Sequence, residues 1–219
     1  DSLNRLTYVD GPVLGDASAY AYDGNDNLVQ MVDAVASTTD YAYDGLDRLT
    51  QITMPGGLGS VQYSYDGAGR VASITYPDGS TVSYAYDATG RLETVADPIY
   101  VTTYTYNAAG QLETTSFPNR VIAEYSYDDY GRLTDLAYNF RQFAPPNDLI
   151  LVTSFHYTLD DNGNRTGMEV RRRDTGTPED DFLSAAYGYG YDPLNRLIQA
   201  TYPDGTVVDY EYDANGNRL

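Results

Sequence analysis

The sequence predicts an all-β chain, an antiparallel β-hairpin meander of about ten repeats, and three observations carry that prediction. The phrase Ser83-Tyr84-Ala85-Tyr86-Asp87-Ala88-Thr89-Gly90-Arg91-Leu92, aligned on its Asp, recurs at Asp1, Asp23, Asp44, Asp66, Asp87, Asn107, Asp128, Asp160, Asp192 and Asp213, mostly about 21 residues apart. Periods of this length mark repeat architectures. The place three residues after each of these ten holds only Gly, Asn or Asp, the residues that tolerate the left-handed backbone region. Helix signals are missing throughout.

Each unit begins with a strand. A Tyr-x-Tyr run puts two rings on one face of a strand and a small residue between them on the other. The following D-x-x-G is a type I turn signature, with the Asp carboxylate satisfying turn amides. The repeat motif is carried by Tyr20, Tyr22 and Asp23; by Tyr41, Tyr43, Asp44 and Arg48; and by Tyr63, Tyr65, Asp66, Gly69 and Arg70. It continues through Tyr84, Tyr86, Asp87, Gly90 and Arg91; Tyr104, Tyr106 and Gly110; and Tyr125, Tyr127, Asp128, Gly131 and Arg132. Tyr189, Tyr191, Asp192 and Arg196, then Tyr210, Tyr212, Asp213 and Gly216, complete it. After each of these knuckles an alternating strand such as Arg91–Val95 runs to a second turn, clearest at Tyr76-Pro77-Asp78-Gly79 and Tyr202-Pro203-Asp204-Gly205.

Most of the 24 Tyr fall in the paired positions, so the Tyr content is architectural, and stacked copies are expected to line the rings up as cross-strand pairs. A Tyr-lined sugar-binding groove is the competing reading. Arg in the fifth place of the phrase is expected to pair with a turn Asp and to lie over a Tyr face.

The array is read as one domain over 1–219, with regular repeats in 1–135 and 187–219 and two enlarged repeats in 136–186. The insertions hold Asn139–Asn147 and Arg171–Asp181, and in a repeat sheet insertions map to hairpin tips. Phe140 and Phe143 are therefore a candidate contact loop. The triplet Arg171-Arg172-Arg173 is followed by Asp174, Glu179, Asp180 and Asp181, which favours a self-paired longer hairpin over a nucleic-acid site.

Composition narrows the function. The formal net charge is −19, from 32 acids against 13 cations, every cation being Arg. Such acidity argues against nucleic acid and anionic membranes as partners. Cys is absent, and no apolar run approaches a membrane span. The chain opens on the Asp of one repeat and stops soon after another knuckle, so it is read as a segment of a longer chain or polymer.

Chemistry is thin. His156 is the only His, and a nucleophilic triad would have to be built on it, so no catalysis is expected. Asp160–Asn164 departs from a calcium loop in its Gly position and lacks a closing Glu. No cofactor is expected, and Ca²⁺ at most weakly at clustered turn acids.

The phrase Y-x-Y-D-x-x-G-R-L at this spacing resembles the YD repeat of the Rhs family, which includes bacterial Rhs proteins, shell components of insecticidal Tc toxins, and the teneurins. Tyr41-Ala42-Tyr43-Asp44, Tyr84–Asp87 with Gly90-Arg91-Leu92, and Tyr210–Asp213 with Gly216-Asn217-Arg218 carry the resemblance. It implies a long antiparallel β-strip wound spirally into a shell or tube wall, secreted or displayed on a bacterial cell surface. Asp192-Pro193-Leu194-Asn195 is similar only superficially to the autoproteolytic core that ends an Rhs shell, because it lies in a repeat knuckle and lacks downstream glycines. The leading expectation is thus a structural wall of an extracellular assembly, which associates with itself or continues the same strip. The alternatives are a carbohydrate-binding or adhesion module using the Tyr faces and long loops, and part of a toxin-encapsulating cocoon whose toxin lies outside this sequence.

Overall fold

The computed structural model describes residues 1–10, 17–142, 149–173 and 182–219. The chain is all-β, the described residues forming eighteen strands and a single 3-10 turn at Pro55–Gly57, and it divides into two compact units, Asp1–Val101 and Thr102–Leu219.

In the first unit, β1 (Tyr8–Asp10), β2 (Ala17–Tyr22), β3 (Leu28–Val32), β4 (Thr38–Tyr43) and β5 (Leu49–Thr53) are followed by β6 (Ser60–Tyr65), β7 (Val71–Thr75), β8 (Thr81–Tyr86) and β9 (Leu92–Ala96). Every strand pairs antiparallel with its sequence neighbour. The second unit repeats this order through β10 (Val101–Tyr106), β11 (Leu112–Ser116), β12 (Val121–Tyr127), β13 (Leu133–Arg141) and β14 (Leu149–Leu159), then β15 (Arg165–Arg173), β16 (Phe182–Tyr191), β17 (Leu197–Thr201) and β18 (Val207–Asp209). Within each unit, strands among the described residues touch only their sequence neighbours, so the sheet is a single layer.

The two faces of that layer differ. On one, Tyr63 faces Ile74, which faces Val82; Tyr41, Ile52 and Val61 form a similar row. On the other, Ser64, Ser73 and Ser83 line up, with Ser64 Oγ 2.7 Å from Ser73 Oγ, and Thr75 Oγ1 lies 2.9 Å from Thr81 Oγ1. The direct partners of the paired tyrosines on the returning strand are mostly aliphatic: Tyr84 faces Val95, Tyr86 faces Leu92, and Tyr43 faces Leu49. Rings thus alternate with aliphatic side chains where ring-on-ring pairs between adjacent strands were expected, because each Tyr strand is followed by a returning strand of the other type.

A β-bulge sits beside the knuckles from Asp23 to Asp192. Ala85 faces Thr94 but Tyr86 faces Leu92, leaving Glu93 as the extra residue, and the same shift recurs at Ala21/Tyr22, Ala42/Tyr43 and Ser64/Tyr65. It brings apolar residues three apart, Leu92 and Val95 or Leu49 and Ile52, onto the Tyr face.

The enlarged repeats correct the placement of the insertions. Part of the added sequence lengthens the strands: β13 to β16 run 9, 11, 9 and 10 residues, where β2 to β9 have five or six. Phe140 is therefore a half-buried strand residue, facing Val121 on one side and Ile150 on the other, and not a loop-tip residue. Phe143 lies outside the described residues. Arg171, Arg172 and Arg173 face Ser184, Leu183 and Phe182 across a long hairpin. Burial is deepest where β11, β12 and the lengthened β13 meet, with Ala123 fully buried beside Ile122, Thr115 and Asn139, and Asn139 Nδ2 donates to Glu124 Oε2 at 2.7 Å.

Candidate functional site

The knuckle is the repeated chemical centre of the molecule. All ten left-handed places have positive φ, from 58° at Asp47 to 88° at Gly90. In the knuckle at Asp87, the Asp87 amide donates to the Arg91 carbonyl at 2.8 Å and the Gly90 amide to the Asp87 carbonyl at 2.9 Å. The carboxylate closes the turn: Oδ1 accepts from the amides of Thr89 and Arg91 and from Thr89 Oγ1, while Oδ2 accepts Arg91 Nε and Nη2, both at 2.7 Å. Asp44 with Arg48, Asp66 with Arg70, Asp128 with Arg132 and Asp192 with Arg196 repeat it. Asn107 with Gln111 makes an uncharged version, Asn107 Nδ2 donating to Gln111 Oε1 at 3.0 Å.

These bonds favour the ionised carboxylate. The Thr89 hydroxyl, then the Arg91 amide and guanidinium, hold the Asp87 carboxyl well below the usual range. The Arg48 side chain does the same for Asp44, and the Arg70 amide for Asp66. Burial instead pushes the phenols of Tyr43, Tyr84, Tyr127 and Tyr191 up.

Two further contacts tie one knuckle to the unit before it. The second Tyr of each pair donates its hydroxyl to the carbonyl of the residue that follows the preceding knuckle: Tyr22 to Leu6, Tyr43 to Leu28, Tyr65 to Leu49 and Tyr86 to Val71, at 2.6–3.0 Å. Tyr127 to Leu112, Tyr191 to Arg165 and Tyr212 to Leu197 continue the series in the second unit. Several knuckle guanidinia also cover the ring of that next Tyr: Arg5 over Tyr22, Arg48 over Tyr65, Arg70 over Tyr86 and Arg196 over Tyr212, at 4.3–4.9 Å. Arg5, Arg48, Arg70 and Arg196 are thereby each bound to their own turn and stacked on the next, whereas Arg132, followed by a unit with Leu159 in place of the second Tyr, lies over Tyr130 of its own knuckle at 5.2 Å. The hydroxyl ties and the bulge were missed in the sequence; their trace is the apolar residue that recurs directly after the fifth place, at Leu6, Leu28, Leu49, Val71, Leu92 and Leu112.

The remaining candidates resolve simply. Asp160–Asn164 is a knuckle, its Oδ1 accepting the amides of Asn162 and Asn164. Among the described residues no three acidic or His side chains converge as a metal set. His156 Nδ1 lies 2.7 Å from Asp135 Oδ1 on the neighbouring strand, and Glu169 faces it from the other side. Tyr130 stands out because it is 86% exposed at a knuckle tip; with Arg132, Asp161, Asn162 and Gly163 it lines a shallow recess of about 270 Å³.

The family model described as RHS Repeat matches residues 22–58, 57–81, 65–98 and 186–219, together more than half of the chain. The chain belongs to the RHS Repeat family. The Rhs matches include the knuckles at Asp44 and Asp66, where knuckle, hydroxyl tie and guanidinium stack occur together. No curated protein matches the chain. Its fold recurs in the structure of TcdB2-TccC3 without its hypervariable C-terminal region, at 16% identity and a TM-score of 0.65, covering 93% of this chain and 12% of that one. It recurs in TcdB2-TccC3 itself at 15% identity and a TM-score of 0.61, covering 93% and 13%. A Photorhabdus luminescens Tc holotoxin pore bearing a TccC3 substitution gives 15% identity and a TM-score of 0.60, again covering 93% and 13%. This Rhs chain thus spans about an eighth of the length of these structures, and at such identities the likeness is one of fold.

Proposed function

We propose that this Rhs-repeat chain is a structural stretch of wall in an extracellular or cell-surface assembly, extended by the same strip or by association with itself. The observation that carries the reading is the tie between successive knuckles. The residues that recur are engaged in holding one unit to the next. The strongly acidic composition and the absence, among the described residues, of a helix long and apolar enough to cross a membrane suit an exposed wall. We assign it no catalysis and no cofactor; a closed form of the wall would enclose a cargo, the role that the Rhs resemblance implies for toxin cocoons.

Electron microscopy of the native assembly tests this. Hollow particles, tubes or fibres are expected, and isolated compact particles of the chain's own mass would overturn the reading. A binding module is the second reading, favoured by the exposed Tyr130 beside Asp161 and Asn162, a ring face with hydrogen-bonding groups suited to a sugar. Tyr130→Ala separates the two: loss of glycan retention with an unchanged assembly supports binding, and no change on glycan arrays removes it.

A further inference from the structure

The fifth residue of one knuckle also reaches the left-handed place of the next, and its length varies with what stands there. Where the fifth residue is long, the next knuckle offers Gly or its backbone. Arg48 Nη1 lies 3.6 Å from where a Cβ on Gly69 would stand, and Arg70 Nη1 lies 3.2 Å from the corresponding point at Gly90. Gln111 Nε2 donates to the Gly131 carbonyl at 3.0 Å, and Arg132 Nη1 to the Asp160 carbonyl at 2.7 Å. Where the fifth residue is the short Asn, the next left-handed place carries an acceptor side chain that closes the gap. Asn27 Nδ2 donates to Asp47 Oδ1 at 2.8 Å, joined by Asn25 Nδ2 at 2.8 Å, and Asn164 Nδ2 donates to Asn195 Oδ1 at 2.8 Å. Arg5, which bonds both the Asp23 carbonyl and Asp26 Oδ1, marks the asymmetry: a long donor accepts either partner.

We infer that neighbouring repeats are matched by reach, an Asn in the fifth place requiring Asp or Asn at the left-handed place of the unit seated on it. Asp47 and Asn195 are thus specificity residues that define which unit packs on which. Backbone preference alone makes the opposite prediction, because φ at Asp47 and Asn195 is 58° and 59°, where Gly is the more comfortable residue. Asn217 stands in the same fifth place and donates to Asp213 Oδ2 at 2.9 Å. By the same reach, any unit seated on that knuckle carries Asn or Asp at its left-handed place. The rule is independent of the wall reading, and its failure would leave that reading untouched.

Thermal unfolding of the full chain, followed by circular dichroism, tests it with three variants. Asp47→Gly is expected to lower the midpoint by about 2–4 °C, the size of shift that roughly one lost hydrogen-bonded contact gives in a chain of this length. Asp47→Asn keeps an acceptor and is expected to stay within about 1 °C. Asn27→Arg combined with Asp47→Gly recreates the long-donor pairing and is expected to recover at least half of the loss. A midpoint for Asp47→Gly at or above that of the parent overturns the rule, and so does a double variant as unstable as Asp47→Gly. An equal fall for Asp47→Asn also overturns it. If Asp47→Gly does not fold, Asn195→Gly with and without Asn164→Arg makes the same comparison in the second unit.

Discussion

The knuckle Asp is the most heavily used side chain in the molecule, since one carboxylate holds two amides and a guanidinium. Its folded pKa is depressed, so the stability it contributes is fully present above the ordinary carboxylate pKa and is lost as pH falls through the folded value. Asp23, Asp44, Asp66, Asp87, Asp128, Asp160, Asp192 and Asp213 all shift in this direction. The unfolding midpoint is therefore expected to be flat from neutral pH down to about pH 4 and to fall below it. Replacing Asp87 by Asn should make that acid fall shallower while preserving the turn, as Asn107 does in its own knuckle. A midpoint that rises on acidification below pH 4 would contradict this account.

At the scale of the hairpin, the two tyrosines of one pair have different duties. Tyr86 donates its hydroxyl to the Val71 carbonyl at 2.9 Å, whereas Tyr84 contributes its ring beside Val95. Tyr86→Phe should cost about 1 kcal/mol, read in chemical denaturation, and Tyr84→Phe distinctly less; equal losses would remove the tie as a stabilising contact. Turns were legible in the sequence because the left-handed region admits so few residues: Asn4, Asp26 and Gly69 share one place only because they share one φ sign. Strand type and parity followed from the Tyr-x-Tyr spacing. The bulge was not legible, since Leu92-Glu93-Thr94-Val95 reads as simple alternation until its partner strand sets the register. The acceptors of the Tyr hydroxyls were hidden for another reason: they are main-chain carbonyls, and any residue type supplies one. Phe140 was misplaced because an insertion in sequence need not be an insertion in loop; two neighbouring strands can absorb it together.

Across either unit, stability is a sum of neighbour terms, because among the described residues strands touch only those beside them in sequence. The apolar burial that would couple distant strands is small: among the described residues only Ile122, Ala123 and Ala200 count as buried apolar side chains. Asp66→Ala should therefore speed hydrogen exchange at the amides of Ala68 and Arg70 and in β6 and β7, while leaving the amides of Asn25 and Asn27 at their parental rates. Uniform acceleration across the first unit would show a cooperativity that the contacts do not provide.

The neighbour-only contacts also bear on how such a chain changes over generations. A duplication or deletion of one whole unit, cut between equivalent points of two knuckles, restores the strand pairing on both sides of the join, so length can drift without a new core having to be invented wherever the knuckle contacts also match. That freedom is uneven along this chain. Between Arg48 and Gly90 the units are interchangeable in reach, and losing one leaves a long donor facing a glycine. Removing the unit that carries Asp47 would instead set Asn27 against Gly69, the short donor facing a glycine that the reach rule forbids. Gains and losses of repeats should thus accumulate where the fifth residue is Arg, and the Asn-bearing junctions should persist as fixed landmarks.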